Sequence, residues 1–379
     1  MKTILFDLLE CQPASTSKFH GGGEYIKAVF KNLTEKYWSQ YNLIVFFNPN
    51  KFLDDWIYDI IKRKNIESCY IENVNEICTV FENKHIDVFY SGMPYYYLKK
   101  NIPDTVRIKG TIHGLRLVEM PSDKYAHLYL SGKAGMKETV RHLISGYYRR
   151  KKQEQFYSVI EMIDELICVS NHTKYAIRAY YPDFKDKDIR VCYTPQKNAQ
   201  LCADDSPVET GKYILLMGGD RWIKNTYRGI LAIERLFEAG YLENYKVIIV
   251  GGLNNKIKSK IKDTRRYVIK GYVETAELEN LYKFSDIFLY PSLNEGFGMP
   301  PLEAMKYGAT CVVSAICSLT EVCGDAVYYT NPYDIGEMSG RILQAASEKI
   351  DSDIVLRRFN CIKQKQDRDL DQLCEFIIS

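Results

Sequence analysis

Two carboxylates flank a glycine-containing turn at the end of a short apolar run. In Tyr290-Pro-Ser-Leu-Asn-Glu-Gly-Phe-Gly-Met-Pro-Pro-Leu-Glu, Glu295 and Glu303 stand eight positions apart, with Gly296, Phe297 and Gly298 between them. The run reads as a strand ending at Tyr290, and Pro300-Pro301 suits a helix start because proline is tolerated in a first turn. Glu295 is then expected on the loop and Glu303 in the first helical turn. A carboxylate there is a good acceptor for vicinal hydroxyls such as those of a ribose. The amides around Phe297 and Gly298 could meet an anion or the hydroxyls of a sugar. Blander uses stand beside these: an acid at a helix N-terminus is favourable in itself, and Glu295 could be an exposed loop residue.

Three glycine clusters sit near expected strand ends. Gly21-Gly22-Gly23 precedes a helix expected from Glu24, Gly218-Gly219 follows Ile214–Met217, and Gly251-Gly252 follows Val247–Val250. Glycine allows a close backbone approach, and a helix N-terminus offers N–H groups to an anion. Each cluster alone is equally well a tight turn. No G-x-G-x-x-G follows the first strand and no G-x-x-x-x-G-K-[ST] occurs, so nicotinamide-cofactor and P-loop readings lose their main support. No G-x-S-x-G elbow supports a serine hydrolase. A carboxylate-pair glycosidase would need two carboxyls flanking one bond. No H-E-x-x-H or Cys/His quartet appears, and Asp186-Lys-Asp188 and Asp351-Ser-Asp353 sit in polar, non-strand contexts. No metal site and no cofactor are expected.

The elements that must carry these residues follow from the rest of the chain. It has 379 residues, 26% charged and 46% hydrophobic, with a formal charge of +3. That is a globular composition of about two domains, too evenly charged for a nucleic-acid binder. The eleven Cys are scattered without a C-x-x-C, which suits reduced thiols in a cytosolic protein. No run of 18 apolar residues would span a bilayer, and Met1-Lys2-Thr3 leads directly into Ile4-Leu5-Phe6, read as a strand and not as a secretion signal.

Strands are expected at Thr3–Leu8, Leu43–Phe47, Val88–Tyr90, Arg107–Ile112 and Glu165–Val169. A second set is expected at Tyr213–Met217, Lys246–Val250, Tyr267–Ile269, Ile287–Tyr290 and Thr310–Ser314. Helical spacing covers Glu24–Tyr37, Tyr227–Ala239, Thr275–Phe284 and the last stretch, Asp351–Ser379. Strands alternating with helices build buried parallel sheets. Pro195, Pro207 and Gly211 mark a linker over Thr194–Gly211. The fold class expected is α/β, with two Rossmann-like doubly wound domains facing each other across a cleft. Residues 1–200 form the first domain and 208–350 the second, while 351–379 pack back on the first.

The Glu295–Glu303 segment resembles the E-x7-E signature of retaining GT-B glycosyltransferases, glycosyltransferase family 4. The neighbourhood agrees over about Tyr213–Pro332: Gly271-Tyr-Val-Glu-Thr-Ala-Glu-Leu, Ser285-Asp286, Pro291-Ser292, Gly308 and Glu321-Val-Cys-Gly-Asp325 occur in order. The resemblance implies that Glu303 holds the donor ribose, that Glu295 lies near the donor sugar, and that the Tyr272-Val273 backbone lies against the base. Arg221 and Lys224 match the family's diphosphate-binding pair, with Arg228 a weaker candidate. Fixed cations there would stabilise charge gathering on a departing diphosphate. In the first half, Gly21–Gly23, with Gly22 and Gly23 as donor contacts, match the family's glycine loop. His113 matches its histidine near the reacting sugar. Ser170-Asn-His-Thr173 resembles a helix start of mainly structural use.

The activity so implied is retaining transfer from a nucleotide diphosphate sugar, as co-substrate, to a glycan or lipid-linked acceptor. The setting implied is bacterial surface-polysaccharide assembly, in the cytoplasm or at the inner face of the plasma membrane. An epimerase or phosphorylase on the same fold, or a nucleotide-sugar-binding subunit without turnover, are the alternatives. The basic run Arg149–Lys152 could be a solvated helix face or a contact for anionic lipid.

Overall fold

The computed structural model describes residues 1–13, 21–196 and 206–379. Residues 197–205, half of the expected linker, lie outside the described residues. Two compact units emerge, and their sequences interleave. One comprises Met1–Leu115, Gln153–Lys197 and Lys363–Ser379; the other comprises Arg116–Lys152 and Asn198–Ile362.

The first unit is built on seven parallel strands: β1 (Thr3–Asp7), β2 (Asn42–Phe47), β3 (Glu67–Tyr70), β4 (Val88–Ser91), β5 (Arg107–Ile112), β6 (Glu165–Cys168) and β7 (Ile189–Val191), in the order 3-2-1-4-5-6-7. Ile4, Leu5 and Phe6 are fully buried because helices cover both faces of such a sheet. The strand order reverses between β1 and β4. At their carboxyl ends the buried Asp7 accepts from Ser91 Oγ at 2.7 Å and Tyr97 OH at 2.8 Å. The helix after β1 spans Gly21–Lys36. Gly21–Gly23 are therefore its first turn, not a loop ahead of Glu24. The N–H groups that start this helix therefore belong to the glycines themselves.

The second unit carries six parallel strands: β8 (Lys212–Met217), β9 (Tyr245–Val250), β10 (Tyr267–Lys270), β11 (Ile287–Tyr290), β12 (Cys311–Ser314) and β13 (Tyr328–Thr330), in the order 10-9-8-11-12-13. Ile214 pairs with Ile287 on one side and Val247 on the other, so β8 lies at the centre. Its order reverses between β8 and β11. In open parallel sheets the crevice outside the carboxyl ends at such a reversal is where ligands bind.

The segment Arg116–Lys152 joins this second unit for identifiable reasons. Arg228, buried in the helix Thr226–Glu238, makes a two-pronged ion pair with the buried Asp123, at 2.9 and 3.2 Å. Tyr129 packs into the second unit's core, and its hydroxyl accepts from the Tyr227 N–H at 2.7 Å. Arg228 is thereby committed to holding this segment, which removes it as a diphosphate candidate. The C-terminal helix, Ser352–Ile378, contributes Val355 and Phe359 to the second unit. From Lys363 onward it belongs to the first. There Lys109 donates to the Phe376 carbonyl at 2.6 Å, near the helix C-terminus, where a cation is favoured.

Candidate active site

The site is built where the second sheet reverses. From β11, Tyr290 leads into the loop 291–298, and the next helix spans Met299–Met305 with both prolines in its first turn. Gly298 caps it at φ 107°, a left-handed conformation that favours glycine. Glu303 is the fifth residue of that helix, just past the first turn in which it was expected. It is buried, and its Oε2 accepts from Tyr282 OH at 3.2 Å. The loop is tied down from several sides. Leu293 N donates to Ile223 O at 2.8 Å, and Asn294 Nδ2 donates to Glu119 Oε2 at 2.9 Å. Ser318 Oγ donates to the carbonyls of Glu295 and Phe297, at 3.0 and 2.9 Å.

Glu295 faces inward. Its Oε1 accepts from Lys224 Nζ at 2.7 Å, Tyr290 OH at 2.7 Å and Ser292 Oγ at 2.6 Å. Lys224 Nζ also donates to Tyr290 OH, closing a triangle. Burial by itself would raise the Glu295 pKa, but the Lys224 charge and the three hydrogen bonds overcome it and the pKa is lowered. The Lys224 pKa is lowered as well: burial is the larger influence, Arg221 and Arg116 add to it, and Glu295 only partly opposes. The two shifts differ in meaning because Lys224 faces other cations, while Glu295 faces donors on every hydrogen bond made by Oε1. Burial pushes the Tyr290 pKa well up, and Glu295 adds to that, so the phenol stays protonated. Gly218 is required here, since a Cβ would stand 2.6 Å from Lys224 Cγ.

Arg221 follows the carboxyl end of β8 and is exposed, with no ion pair among the described residues. Beside it opens a cavity of about 310 Å³ lined by Arg116, Arg141, Arg221, Trp222, Glu138 and Asp220, among others. Partial desolvation, then repulsion from Arg221, lower the Arg116 pKa, with Glu295 opposing. Three cations (Arg116, Arg221 and Lys224) thus act electrostatically around one carboxylate. The cavity shares Arg116 and Arg221 with this cluster without including Glu295 or Glu303.

Residues 203–365 match the family model described as glycosyl transferases group 1. Over 142 residues the chain is 36% identical to O-antigen chain mannosyltransferase B of Escherichia coli, a match covering 36% of this chain and 37% of that relative. Sucrose-phosphate synthase from Thermosynechococcus elongatus superposes with a TM-score of 0.66 at 14% identity, over 100% of this chain and 96% of that one. HepE of Anabaena, solved with UDP and glucose, gives 0.65 at 14% identity over 100% and 99%. The chain has the GT-B architecture of two parallel-sheet α/β units. It spans little more than a third of the curated relative's length.

Within the group 1 region the structure gathers Arg221, Lys224, Glu295, Gly296, Phe297, Gly298 and Glu303 on segments leaving β8 and β11. Tyr272 and Val273 leave the same end of β10, with Tyr272 exposed. Gly22, Gly23 and His113 belong to the first unit. His113 follows β5, and its Nε2 lies 2.8 Å from the Gly92 carbonyl. A carbonyl can only accept, so His113 Nε2 carries the proton in that hydrogen bond. Its ring stands edge-on to Tyr25, at 4.7 Å between centroids. Ser170 caps the helix Asn171–Tyr180, accepting from Thr173 N, which is the structural use expected of that motif.

Three residues of the cluster escaped the sequence reading: Arg116, Tyr290 as a hydrogen-bonding group, and Ser292. For Arg116 a signal existed, because a basic residue stands three positions after His113, just past a strand end. Tyr290 is the last residue of an apolar strand and reads as core.

Proposed function

We propose that the protein is a retaining glycosyltransferase that moves a sugar from a nucleotide diphosphate donor to a glycan or lipid-linked acceptor in the assembly of a bacterial surface polysaccharide. The observation that carries this reading is the buried Lys224–Tyr290–Glu295 triangle beside Arg221 at the reversal of the second sheet. A carboxylate gripped by three donors on one oxygen is held ionised and oriented. It suits positioning a sugar and Lys224 better than attacking the anomeric carbon. In the reaction we envisage, the bond from the anomeric carbon to the diphosphate breaks as the acceptor oxygen bonds to the same face. The acceptor proton passes to the departing phosphate oxygen. Arg221, Lys224 and Arg116 take up the charge, so that no metal ion is needed.

Glu303 is assigned to the donor ribose, Tyr272 and Val273 to the base, and Gly296, Phe297 and Gly298 to the donor sugar or phosphates. Gly22 and Gly23 would meet the phosphates from the first unit, and His113 would lie near the reacting sugar. The O-antigen relative carries "mannosyltransferase" in its name, which makes mannose the first sugar to try. The test offers uridine and guanosine diphosphate sugars with and without glycan and lipid-linked acceptors. Nucleoside diphosphate release is followed, and the product's anomeric configuration is read by NMR. Acceptor-dependent release with retention is expected, and Lys224→Ala and Glu303→Ala should each lower it by about a hundredfold. Acceptor-independent conversion would assign an epimerase, dependence on inorganic phosphate a phosphorylase, and inversion would overturn the mechanism. Donor binding that raises the melting temperature without turnover on any acceptor would assign a binding subunit.

A further inference from the structure

The helix Gly132–Leu143 packs in an unusual sense. Its one buried residue is Gly135, which sits against the carbonyls of Leu130 and His127. Its large apolar side chains turn the other way. Met136 is 70% exposed, Leu143 79% and Tyr147 70%, with Val140 and Ile144 exposed between them. The hydrogen bonds Ile144 N to Val140 O and Tyr148 N to Ile144 O carry the backbone through into the helix Ser145–Met162. The positions 136, 140, 143, 144 and 147 therefore fall along one helical stripe. These five are among the seventeen exposed large hydrophobic residues of the described chain, compressed into twelve consecutive positions. Scattered apolar residues are ordinary on a surface; a continuous stripe is not.

The stripe is set in positive charge. Between positions 133 and 152 stand Lys133, Lys137, Arg141, Arg149, Arg150, Lys151 and Lys152 against Glu138 alone. The whole chain is only +3, so the remainder is net negative and the charge here is local. Lys133, Lys137, Arg149 and Lys151 are exposed.

We infer that this bent helical segment docks on the surface of an anionic lipid bilayer. Met136, Val140, Leu143, Ile144 and Tyr147 enter the headgroup boundary, and the lysines and arginines meet lipid phosphates. An apolar helical face bordered by basic residues matches the two attractions such a surface offers. A second copy of the chain does not match, because a two-fold contact would set two basic patches against each other. The inference is independent of donor, acceptor and reaction.

The test is co-sedimentation of the full chain with vesicles of phosphatidylcholine, with or without three-tenths phosphatidylglycerol, at low and physiological salt. Binding is expected to be at least tenfold stronger on the anionic vesicles and to weaken with salt. Leu143→Ser with Tyr147→Ser should lower it tenfold or more, as should Arg149→Ala with Lys151→Ala. Lys258→Ala with Lys260→Ala, which removes the same charge elsewhere, should leave it unchanged. Thermal melts of each variant show that the fold is retained. Absence of binding, equal binding to neutral vesicles, or an equal loss in the Lys258/Lys260 variant would overturn the proposal. Self-association abolished by the Leu143 and Tyr147 changes would reassign the face to a contact between copies. No step uses a nucleotide sugar, so this result and the glycosyltransferase assay can fail separately.

Discussion

Lys224 Nζ lies 2.7 Å from Glu295 Oε1, with only 11% and 14% of the two side chains exposed. At that burial each partner needs the other. Lys224→Met should leave Glu295 ionised without its counter-charge and cost about 3–5 kcal/mol of stability. Adding Glu295→Gln should recover much of that loss, and a double-mutant cycle by chemical denaturation measures the coupling.

The same pair predicts a pH dependence. The folded Glu295 pKa is lowered from its ordinary 4.5, so its contribution to stability is complete above pH 4.5 and is lost as pH falls through the lower folded value. Glu295→Gln should therefore flatten the acid limb of a stability–pH curve. Parallel wild-type and variant limbs would show that the carboxylate is not held as described.

Arg116 is exposed and makes no ion pair among the described residues, so Arg116→Ala should hardly move the melting temperature of the free protein. It should weaken nucleoside diphosphate binding about tenfold, the worth of one charge-assisted hydrogen bond. Arg116→Lys should restore part of this, since the charge returns without the planar fork. Titration calorimetry on the three proteins decides it.

Arg228→Ala attacks a different function of charge. It strands the buried Asp123 carboxylate and should destabilise the second unit by about 3–5 kcal/mol. Hydrogen exchange should rise selectively around Asp123–Leu130, since Tyr129 depends on the same docking. Uniform acceleration over both units would contradict the role assigned to the pair.

Burial, more than Glu165 can offset, brings the Lys109 pKa down to about 8 from an ordinary 10.5. Between those values the unfolded chain binds more protons than the folded one, so this group makes stability rise with pH from about 8 to about 10.5. Lys109→Met should remove that rise in urea denaturation series across the window. It should also loosen the last turn of the C-terminal helix, whose Phe376 carbonyl loses its donor.

The inner strands were legible because burial on both faces demands runs such as Ile4-Leu5-Phe6 or Val247–Val250. The three strands that the pattern hides, Glu67–Tyr70, Ile189–Val191 and Tyr328–Thr330, are all sheet edges of three or four residues. Half-exposed edges need no apolar run, so their residues read as loop. Around the site, Glu295 and Glu303 stand out by type and spacing, whereas their depth does not. Whether a loop carboxylate faces solvent depends on Lys224 and Tyr290, and Tyr290 looks like any core strand residue. The Arg228–Asp123 pair was least legible, because nothing local distinguishes a structural arginine from a ligand-binding one when its partner is 105 positions away.

That separation also sets a clock. At about 5–20 residues per second of synthesis, Asp123 is made roughly 5–20 s before Arg228 exists to meet it. Through that interval the nascent segment carries its apolar stripe, and Tyr129 has no core to enter. A chain made this way depends on what shelters an unfinished middle, and slowing translation between the two codons should lower the yield of folded protein more than slowing it after Arg228.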